Sequence, residues 1–325
     1  MSSTRMNMVQ SRRKLLKAII SISALLPALK VISMTNFTKV SHDSSSNFHF
    51  IYNNSLYKEN FYQFLLNVFH LYPELEFHQL ISEITKRTNS DQEIYLEVQS
   101  KLNEITSFLA PFQYVIPALN KQKTIIADQT QNLLQDKQKF SGYLEIGTTG
   151  RYLDALEERF SIEDERYFIT DKKATYSPTD MIDRGQIFKA GSDILFNNYQ
   201  PALNTIARDS IDLVTVYIGF HHCPIHLREE FITNIRDVMR PGASLVVRDH
   251  DVINTKMNHL VALAHDVFNL GTSESWQYNS NELRNFYSLT ELDLLLNKMG
   301  FKSDGRKIFQ QGDPTLNALM LYKKI

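Results

Sequence analysis

The chain has 325 residues, of which 43% are hydrophobic, and its formal net charge at pH 7 is −1. This length allows one large domain or two ordinary ones, and the apolar content is enough to bury a core. The near-zero charge and the lack of a basic stripe argue against nucleic acid as a partner, and nothing in the composition indicates an oligomeric state. The single cysteine, Cys223, excludes an internal disulfide and fits a reducing compartment, although an exported protein without disulfides would look the same.

The amino terminus carries a basic leader and then a short apolar stretch. Residues 11–17, SRRKLLK, match the twin-arginine export pattern S-R-R-x-F-L-K except that Leu15 stands in place of Phe. The apolar stretch Ala18–Leu29 has 12 residues, too few to span a bilayer as a helix, and no clear A-x-A cleavage site follows it. We therefore expect a cytoplasmic protein whose residues 11–30 can associate weakly with a membrane. Export by the twin-arginine route is the alternative.

Residues 1–47 are predicted to be leader and linker, and residues 48–138 a helical cap. Residues 38–47 are rich in Ser, Asn and Asp, as linkers often are. Beyond them, apolar residues at helical spacing predict four helices, at about 57–72, from 73 onwards, from 91 to 111 and at about 121–135. Helices with one apolar stripe must bury it, so the cap is expected to pack against the domain that follows. Its aromatic residues are expected mainly in the core; lining a substrate pocket is the alternative.

The segment Ser141–Arg151, SGYLEIGTTGR, predicts a strand, a glycine turn and a helix. Tyr143–Ile146 form the apolar strand, Gly147–Gly150 the turn and Arg151–Phe160 the helix. In a doubly wound α/β fold such a turn lies at the carboxyl end of the central strand, where small residues let a cofactor approach the backbone. The motif departs from dinucleotide fingerprints, which require three glycines at regular spacing.

Glu145 changes the interpretation of this turn, because it lies two positions before the first glycine. The segment resembles the E/D-x-G-x-G-x-G motif of class I S-adenosylmethionine (SAM)-dependent methyltransferases, with Thr149 and Arg151 where that family has its second and third glycines. The resemblance implies an α/β, Rossmann-like, doubly wound and mostly parallel sheet over residues 139–325, preceded by the helical region. It also implies SAM as the cofactor.

Further carboxylates fall in the order that this family requires. Asp171 ends a short strand, Arg166–Thr170, 26 positions after Glu145, near the usual spacing for a carboxylate that accepts from the ribose. Asp193 follows a predicted strand at 187–189, in a stretch that resembles the family's adenine-contacting segment. The resemblance implies cofactor-binding roles for eight residues: Glu145, Gly147, Thr148, Gly150, Asp171, Asp193, Ile194 and Ile218.

The most specific match is the string IRDVMRPGASLVVRD at residues 235–249, which resembles x-R-V-L-K-P-G-G-x-L-V-x-x-D in the family. It follows the apolar run Ile211–Ile218, typical of a parallel strand buried on both faces, and a predicted helix at 225–239. The strand Ala243–Arg248 comes next. A helix that begins at Thr290 and a last strand at 318–322 complete the predicted order.

His250, Asp251 and His222 are the predicted catalytic residues. His250 lies just past the fifth strand, at the edge where open α/β sheets bind ligands. Its flanking carboxylates are expected to hold its tautomer and to raise its pKa toward neutrality. His222 belongs to a histidine pair that resembles a segment found after the fourth strand in small-molecule methyltransferases. The alternative for these histidines is a structural role in the loops.

No metal site is predicted. Residues 221–226, HHCPIH, contain an H-x-x-x-H spacing, but Pro224 interrupts it and no second ligand group of comparable spacing occurs elsewhere. His265 and Asp266 lie on a predicted helix, Asn258–Leu270, and are expected to be structural first and pocket-facing second.

The predicted function is methyl transfer from SAM to a small-molecule acceptor. A nicotinamide-dependent oxidoreductase and a non-catalytic SAM-fold binding protein are the alternatives. Because SAM carries an electrophilic methyl group, such an enzyme mainly holds a nucleophile in line with it, and it needs a base only if the acceptor must lose a proton. Gly147→Val is expected to abolish cofactor binding and to leave the fold intact.

Overall fold

The computed structural model describes part of the chain in detail, namely residues 46–106, 111–135, 137–177, 180–181, 184 and 190–325. The predicted leader signal at 11–30 and the predicted strand at 187–189 lie outside these residues. Among the described helices, none combines the length and the apolar character needed to cross a membrane.

Seven strands of the described chain form one sheet in the order β3-β2-β1-β4-β5-β7-β6. They are β1 (Lys139–Ile146), β2 (Ser161–Thr170), β3 (Ser192–Leu195), β4 (Ile211–Val216), β5 (Met239–His250), β6 (Phe301–Phe309) and β7 (Asn317–Lys324). The first five strands are parallel, and β7 runs antiparallel between β5 and β6. The order reverses between β1 and β4. This doubly wound, mostly parallel sheet confirms the predicted Rossmann-like α/β fold class.

Two strands differ from the sequence prediction. β3 covers Ser192–Leu195, so Asp193 and Ile194 lie within the strand and do not follow one. β6 was not predicted. Both strands lie at the edges of the sheet and carry few buried residues, so neither has the apolar run that marks the central strands.

Ten α-helices of the described residues surround the sheet or form the cap. They are α1 (Asn47–Tyr52), α2 (Ser55–Phe64), α3 (Glu74–Thr85), α4 (Asp91–Ile105), α5 (Ile116–Leu134), α6 (Leu153–Glu157), α7 (Ile225–Val238), α8 (Thr255–Gly271), α9 (Trp276–Asn281) and α10 (Leu289–Lys298). The single helix expected at 57–72 is instead α2 followed by a π-helical turn, Leu65–Phe69. Asn54 begins α2, because its side chain accepts hydrogen bonds from Leu56 N and Tyr57 N.

The cap helices α1 to α4 pack against α8, which belongs to the carboxyl-terminal half of the chain. Their shared core contains Phe61, Phe69 and Phe77 from the cap with Leu263 and Val267 from α8. Helix α5 is divided between the cap and the sheet: Leu119 in its first turns packs in the cap core, and Ile126, Leu133 and Leu134 pack on the sheet. The domain boundary at residue 138 stays a prediction, and this packing favours assigning the later turns of α5 to the sheet domain and its first turns to the cap.

Acid is expected to destabilise the cap through His78. This residue is 9% exposed, and its Nδ1 lies 3.2 Å from Tyr52 Oη. Burial, together with the nearby charge of Lys58, lowers the pKa of His78 from 6.5 to about 4. The unfolded chain therefore binds a proton that the folded chain does not, so this stability is present above about pH 6.5 and is lost as the pH falls toward about 4.

Between about pH 7.5 and about pH 5, His78 should account for a loss of about 2 kcal/mol in the free energy of unfolding. Urea unfolding at both pH values, for the wild type and for His78→Gln, measures this difference. The variant should lose less stability on acidification. An equal loss in both proteins would show that His78 does not contribute.

Candidate functional site

The carboxyl ends of β1, β4 and β5 lie side by side. Ile146 is paired with Val216, and Val216 is paired with Val247. The strand order reverses between β1 and β4, and it is at such a point, beyond the carboxyl ends of the strands, that open α/β sheets bind ligands. Most of the predicted cofactor-binding and catalytic residues therefore lie at this edge of the sheet, whereas Asp193 and Ile194 lie within β3.

Glu145 supports the turn after β1 from within the protein. It is 1% exposed, and its carboxylate accepts hydrogen bonds from Tyr143 Oη at 2.8 Å, from Thr148 Oγ1 and from Tyr152 N at 3.4 Å. Burial raises its pKa, and the hydrogen bonds from Thr148 and Tyr143 oppose that rise. Thr148 Oγ1 in turn accepts from Arg151 N at 3.1 Å. Glu145 and Thr148 thus hold the shape of the turn.

Gly147 allows this turn to contact the loop that follows β4. Its φ is +97°, and an added Cβ would lie 2.7 Å from Cγ1 of Ile218. Gly150 is similarly constrained, with a φ of +87° and the ring of Phe168 at 2.7 Å from an added Cβ. The expectation that valine at 147 would leave the fold intact is wrong, because its Cβ would meet a packed side chain of the protein itself.

The carboxylates predicted for the ribose and adenine lie directly after β2, the strand that contacts this turn, and on the neighbouring strand β3. Gly147 N donates to Ile169 O at 2.8 Å, which brings the turn to the end of β2, directly before Asp171. Asp171 is partly exposed. Asp193 lies on β3, where its Oδ2 accepts from Ala174 N at 3.0 Å, and Ile194 pairs with Ile169.

A cavity of about 130 Å³ lies between the same sheet edge and the cap. Its apolar wall comes from the cap and α8 and includes Phe64, Val68, Phe69, Val115, Leu119 and Phe268. Its polar wall comes mainly from the strand ends and α8 and includes Arg151, His221, His222, Arg248, His250 and His265. The volume is close to the ~150 Å³ of an engineered protein cavity that takes up benzene, so there is room for one ring.

His250 lines this cavity, but its environment differs from the predicted one. Its Nδ1 lies 3.1 Å from Thr315 O, and its Nε2 lies 3.2 Å from Asn317 Nδ2. Desolvation lowers the pKa of His250 to about 3, and the charge of Asp249 only partly opposes this effect. The expected rise toward neutrality is therefore wrong. Asp251 does not orient the ring either, because its Oδ1 accepts from Leu289 N at 2.9 Å.

In the cavity wall, His221 makes a short contact with a carboxylate, although it is not among the predicted catalytic residues. Its Nδ1 lies 2.6 Å from Oδ1 of Asp249, a residue that is 2% exposed. Burial alone would raise the pKa of Asp249, but the hydrogen bonds from His221 and Tyr287 hold it below its usual range. Phe220 N and Tyr287 Oη also donate to Oδ2. Gly219 makes room for the pair, since an added Cβ there would lie 2.6 Å from both His221 Nδ1 and Asp249 Oδ2.

Two further histidines complete the polar wall. His222 Nδ1 lies 3.1 Å from Leu283 O, and burial lowers the pKa of His222 to about 4. His265, expected to be structural first, reaches the cavity from α8 and places its Nε2 3.2 Å from His221 Nε2. Sequence spacing did not reveal this third ring, because His265 is a single residue far along the chain: a ring nitrogen of each of His221, His222 and His265 lies within 4.8 Å of the other two.

No family model matches this chain, and no curated protein matches it. Among solved structures, it is similar to a 1,6-didemethyltoxoflavin-N1-methyltransferase of Burkholderia thailandensis with bound 1,6-didemethyltoxoflavin and S-adenosylhomocysteine, at 12% identity over 64% of this chain and 78% of that chain, with a TM-score of 0.41. It is also similar to the mitomycin 7-O-methyltransferase, at 12% identity over 78% of this chain and 68% of that chain, with a TM-score of 0.42. A third similar structure is a SAM-dependent methyltransferase of Aquifex aeolicus, at 14% identity over 65% of this chain and 98% of that chain, with a TM-score of 0.41. The functional conclusion rests on the residues of this chain's own site.

Proposed function

We propose that this protein transfers a methyl group from SAM to a small-molecule acceptor bound in the cavity between the sheet edge and the cap. One observation carries the proposal. Ile218 contacts the glycine turn after β1 and also lines the cavity, so a cofactor at the turn and an acceptor in the cavity would be neighbours. Methyl transfer requires this adjacency, because the acceptor atom must lie in line with the methyl carbon.

The cofactor is assigned to the switch point between β1 and β4. Asp171 would accept from the ribose hydroxyls, and Asp193 with Ile194 would contact the adenine. The backbone of the turn at Gly147 and Gly150, where Ile218 and Phe168 fill the space of a side chain, would face the methionine part, and Glu145 and Thr148 would hold the turn in shape. All eight residues predicted from the sequence keep a role in these assignments: some would contact the cofactor, and the others hold the turn in shape.

Methyl transfer requires the cavity to position the molecule that receives the methyl group. If the receiving atom carries a hydrogen, as O–H or N–H, the cavity must also provide one group that takes the proton. The acceptor atom forms the new bond to carbon, S-adenosylhomocysteine leaves with the electrons of the broken sulfur–carbon bond, and the acceptor's proton is released. His221 is the better candidate for that proton, because Asp249 binds its Nδ1–H and would stabilise the imidazolium. His221 and Asp249 thus replace His250 and Asp251 in the proposed roles, and His222 stays in the cavity wall.

Titration calorimetry with S-adenosylhomocysteine tests the cofactor assignment. The wild type should bind it with a dissociation constant on the order of micromolar, equivalent to about −8 kcal/mol. Asp171→Ala should weaken binding by about 1–3 kcal/mol through lost charge-assisted hydrogen bonds. Asp304→Ala removes an exposed carboxylate from β6, far along the sheet, and should leave the affinity unchanged.

The same titration separates the alternatives. Binding of NAD without binding of S-adenosylhomocysteine would contradict the proposal and favour the oxidoreductase. Binding of S-adenosylhomocysteine by a protein that transfers no methyl group to any small molecule would favour the non-catalytic binding protein.

A further inference from the structure

We propose that His221, His222 and His265 form a binding site for a divalent transition-metal ion such as zinc. The three residues come from two elements, the loop after β4 and helix α8, and a ring nitrogen of each lies within 4.8 Å of the other two. Imidazole is a preferred ligand of zinc, copper, iron and nickel.

The hydrogen bonds of the three rings leave the same atom available on each. The Nδ1 atoms lie near oxygen acceptors, which are the Asp249 carboxylate for His221, Leu283 O for His222 and Val261 O for His265. Each Nδ1 therefore carries a hydrogen. In a neutral ring the other nitrogen, Nε2, then carries a lone pair and can bind a metal.

Two of these lone pairs face each other directly. His221 Nε2 and His265 Nε2 are 3.2 Å apart, a distance at which two neutral acceptors repel unless something electrophilic lies between them. A tetrahedral zinc ion with Zn–N bonds of about 2.0–2.1 Å separates neighbouring ligand nitrogens by about 3.3 Å. A shared proton would also explain this pair, but it would not require the third ring, and the His222 ring centroid lies 4.1 Å from that of His221.

The surroundings of the rings match those of metal-ligating histidines. Such histidines almost always donate the second ring N–H to a carboxylate or a backbone carbonyl, which fixes the orientation of the ring. All three rings here have such a partner. The elements are also well held, because Asn285 N donates to His221 O at 2.9 Å and His265 lies inside the 17-residue helix α8.

The geometry leaves one side of the ion open to the cavity. All three histidines line the cavity, and His250 is not a fourth ligand, because its Nε2 accepts from Asn317 Nδ2. Three histidines with an open position are typical of catalytic zinc sites. If the proposed methyl transfer holds, an oxygen or sulfur atom of the acceptor would occupy that position, and the ion would lower its pKa. With its Nε2 on the ion, His221 would act as a ligand that Asp249 orients, and it would take the acceptor's proton only in the metal-free protein. The metal site itself does not depend on that function.

Cobalt(II) is the probe for this site, because a protein-bound Co(II) ion absorbs visible light. The full chain is stripped with a chelator and titrated with CoCl₂, and we expect one ion per chain. His265→Gln should weaken Co(II) binding by more than about 100-fold, since even the loss of a residue that only orients a ligand costs 10- to 100-fold. His250→Gln changes the fourth histidine of the same cavity and should keep the affinity within a few-fold.

Thermal unfolding of the stripped proteins, without metal, checks that each variant folds, and His222→Gln replaces His265→Gln if the latter does not. Weak binding in the ligand variant alone supports the site. No Co(II) band in the wild type, or equal affinity in wild type and His265→Gln, overturns the proposal and leaves a shared proton between His221 and His265. Binding of S-adenosylhomocysteine is measured without metal, so a failure here is separate from a failure of methyl transfer.

Discussion

Asp249→Asn is expected to lower the rate of methyl transfer by about 10²- to 10⁴-fold and the free energy of unfolding by about 3 kcal/mol. The buried carboxylate accepts hydrogen bonds from the His221 ring, Phe220 N and Tyr287 Oη. An amide has only one oxygen acceptor and directs its own N–H groups at one of these donors. Transfer of a labelled methyl group gives the rate, and urea unfolding gives the stability.

Asp251→Asn is the matched control, because it makes the same chemical change two residues further along. The Asp251 carboxylate accepts from Leu289 N at 2.9 Å and is not fully buried. Weakening this hydrogen bond should lower the free energy of unfolding by about 1 kcal/mol or less. It should lower the rate of methyl transfer much less than Asp249→Asn does. Similar rate losses in both variants would contradict the assignment of Asp249 as the residue that orients His221.

Gly147→Ala is expected to abolish measurable binding of S-adenosylhomocysteine and to destabilise the fold. The left-handed backbone at this position costs a residue with a side chain about 1–2 kcal/mol. In addition, the new Cβ would lie 2.7 Å from Ile218 Cγ1, so the turn or the loop after β4 must shift. Calorimetry measures the binding, and urea unfolding measures the stability.

Gly242→Ala separates these two effects. Gly242 has a similar φ of +76°, but an added Cβ there meets nothing within 4 Å. Gly242→Ala should therefore lose only the stability that the left-handed backbone conformation costs an alanine, and its affinity for S-adenosylhomocysteine should be unchanged. If Gly147→Ala bound the ligand as well as Gly242→Ala does, the turn after β1 would not be the cofactor site.

The central strands were predictable from the sequence because each is buried on both faces. β1, β4 and β5 therefore appear as nearly continuous apolar runs, and their ends marked the correct edge of the sheet. The edge strands β3 and β6 are largely exposed and lack such runs. The glycine turn was predictable for a similar reason, since its backbone conformation requires glycines and these are recognisable in the sequence.

The partners of the histidines were not predictable in this way. Adjacency in the sequence favoured His250 with Asp251, but successive residues of a strand point to opposite faces, and Asp249 instead meets His221, 28 positions earlier. His265 lies 44 positions after His221, on a helix whose apolar residues indicated only a core. Contacts of this kind depend on how the cap, α8 and the sheet pack together, which periodicity alone does not reveal.

Transfer of labelled methyl groups from SAM into a metabolite extract tests the central claim most directly. The wild type should label a small molecule. Ala118→Trp, which fills the cavity from the cap side, should abolish labelling without changing the affinity for S-adenosylhomocysteine. Ala202→Trp, on the exposed surface, should change neither the labelling nor the affinity. No labelled product from a wild type that binds S-adenosylhomocysteine, or undiminished labelling by Ala118→Trp, would contradict methyl transfer to an acceptor in this cavity.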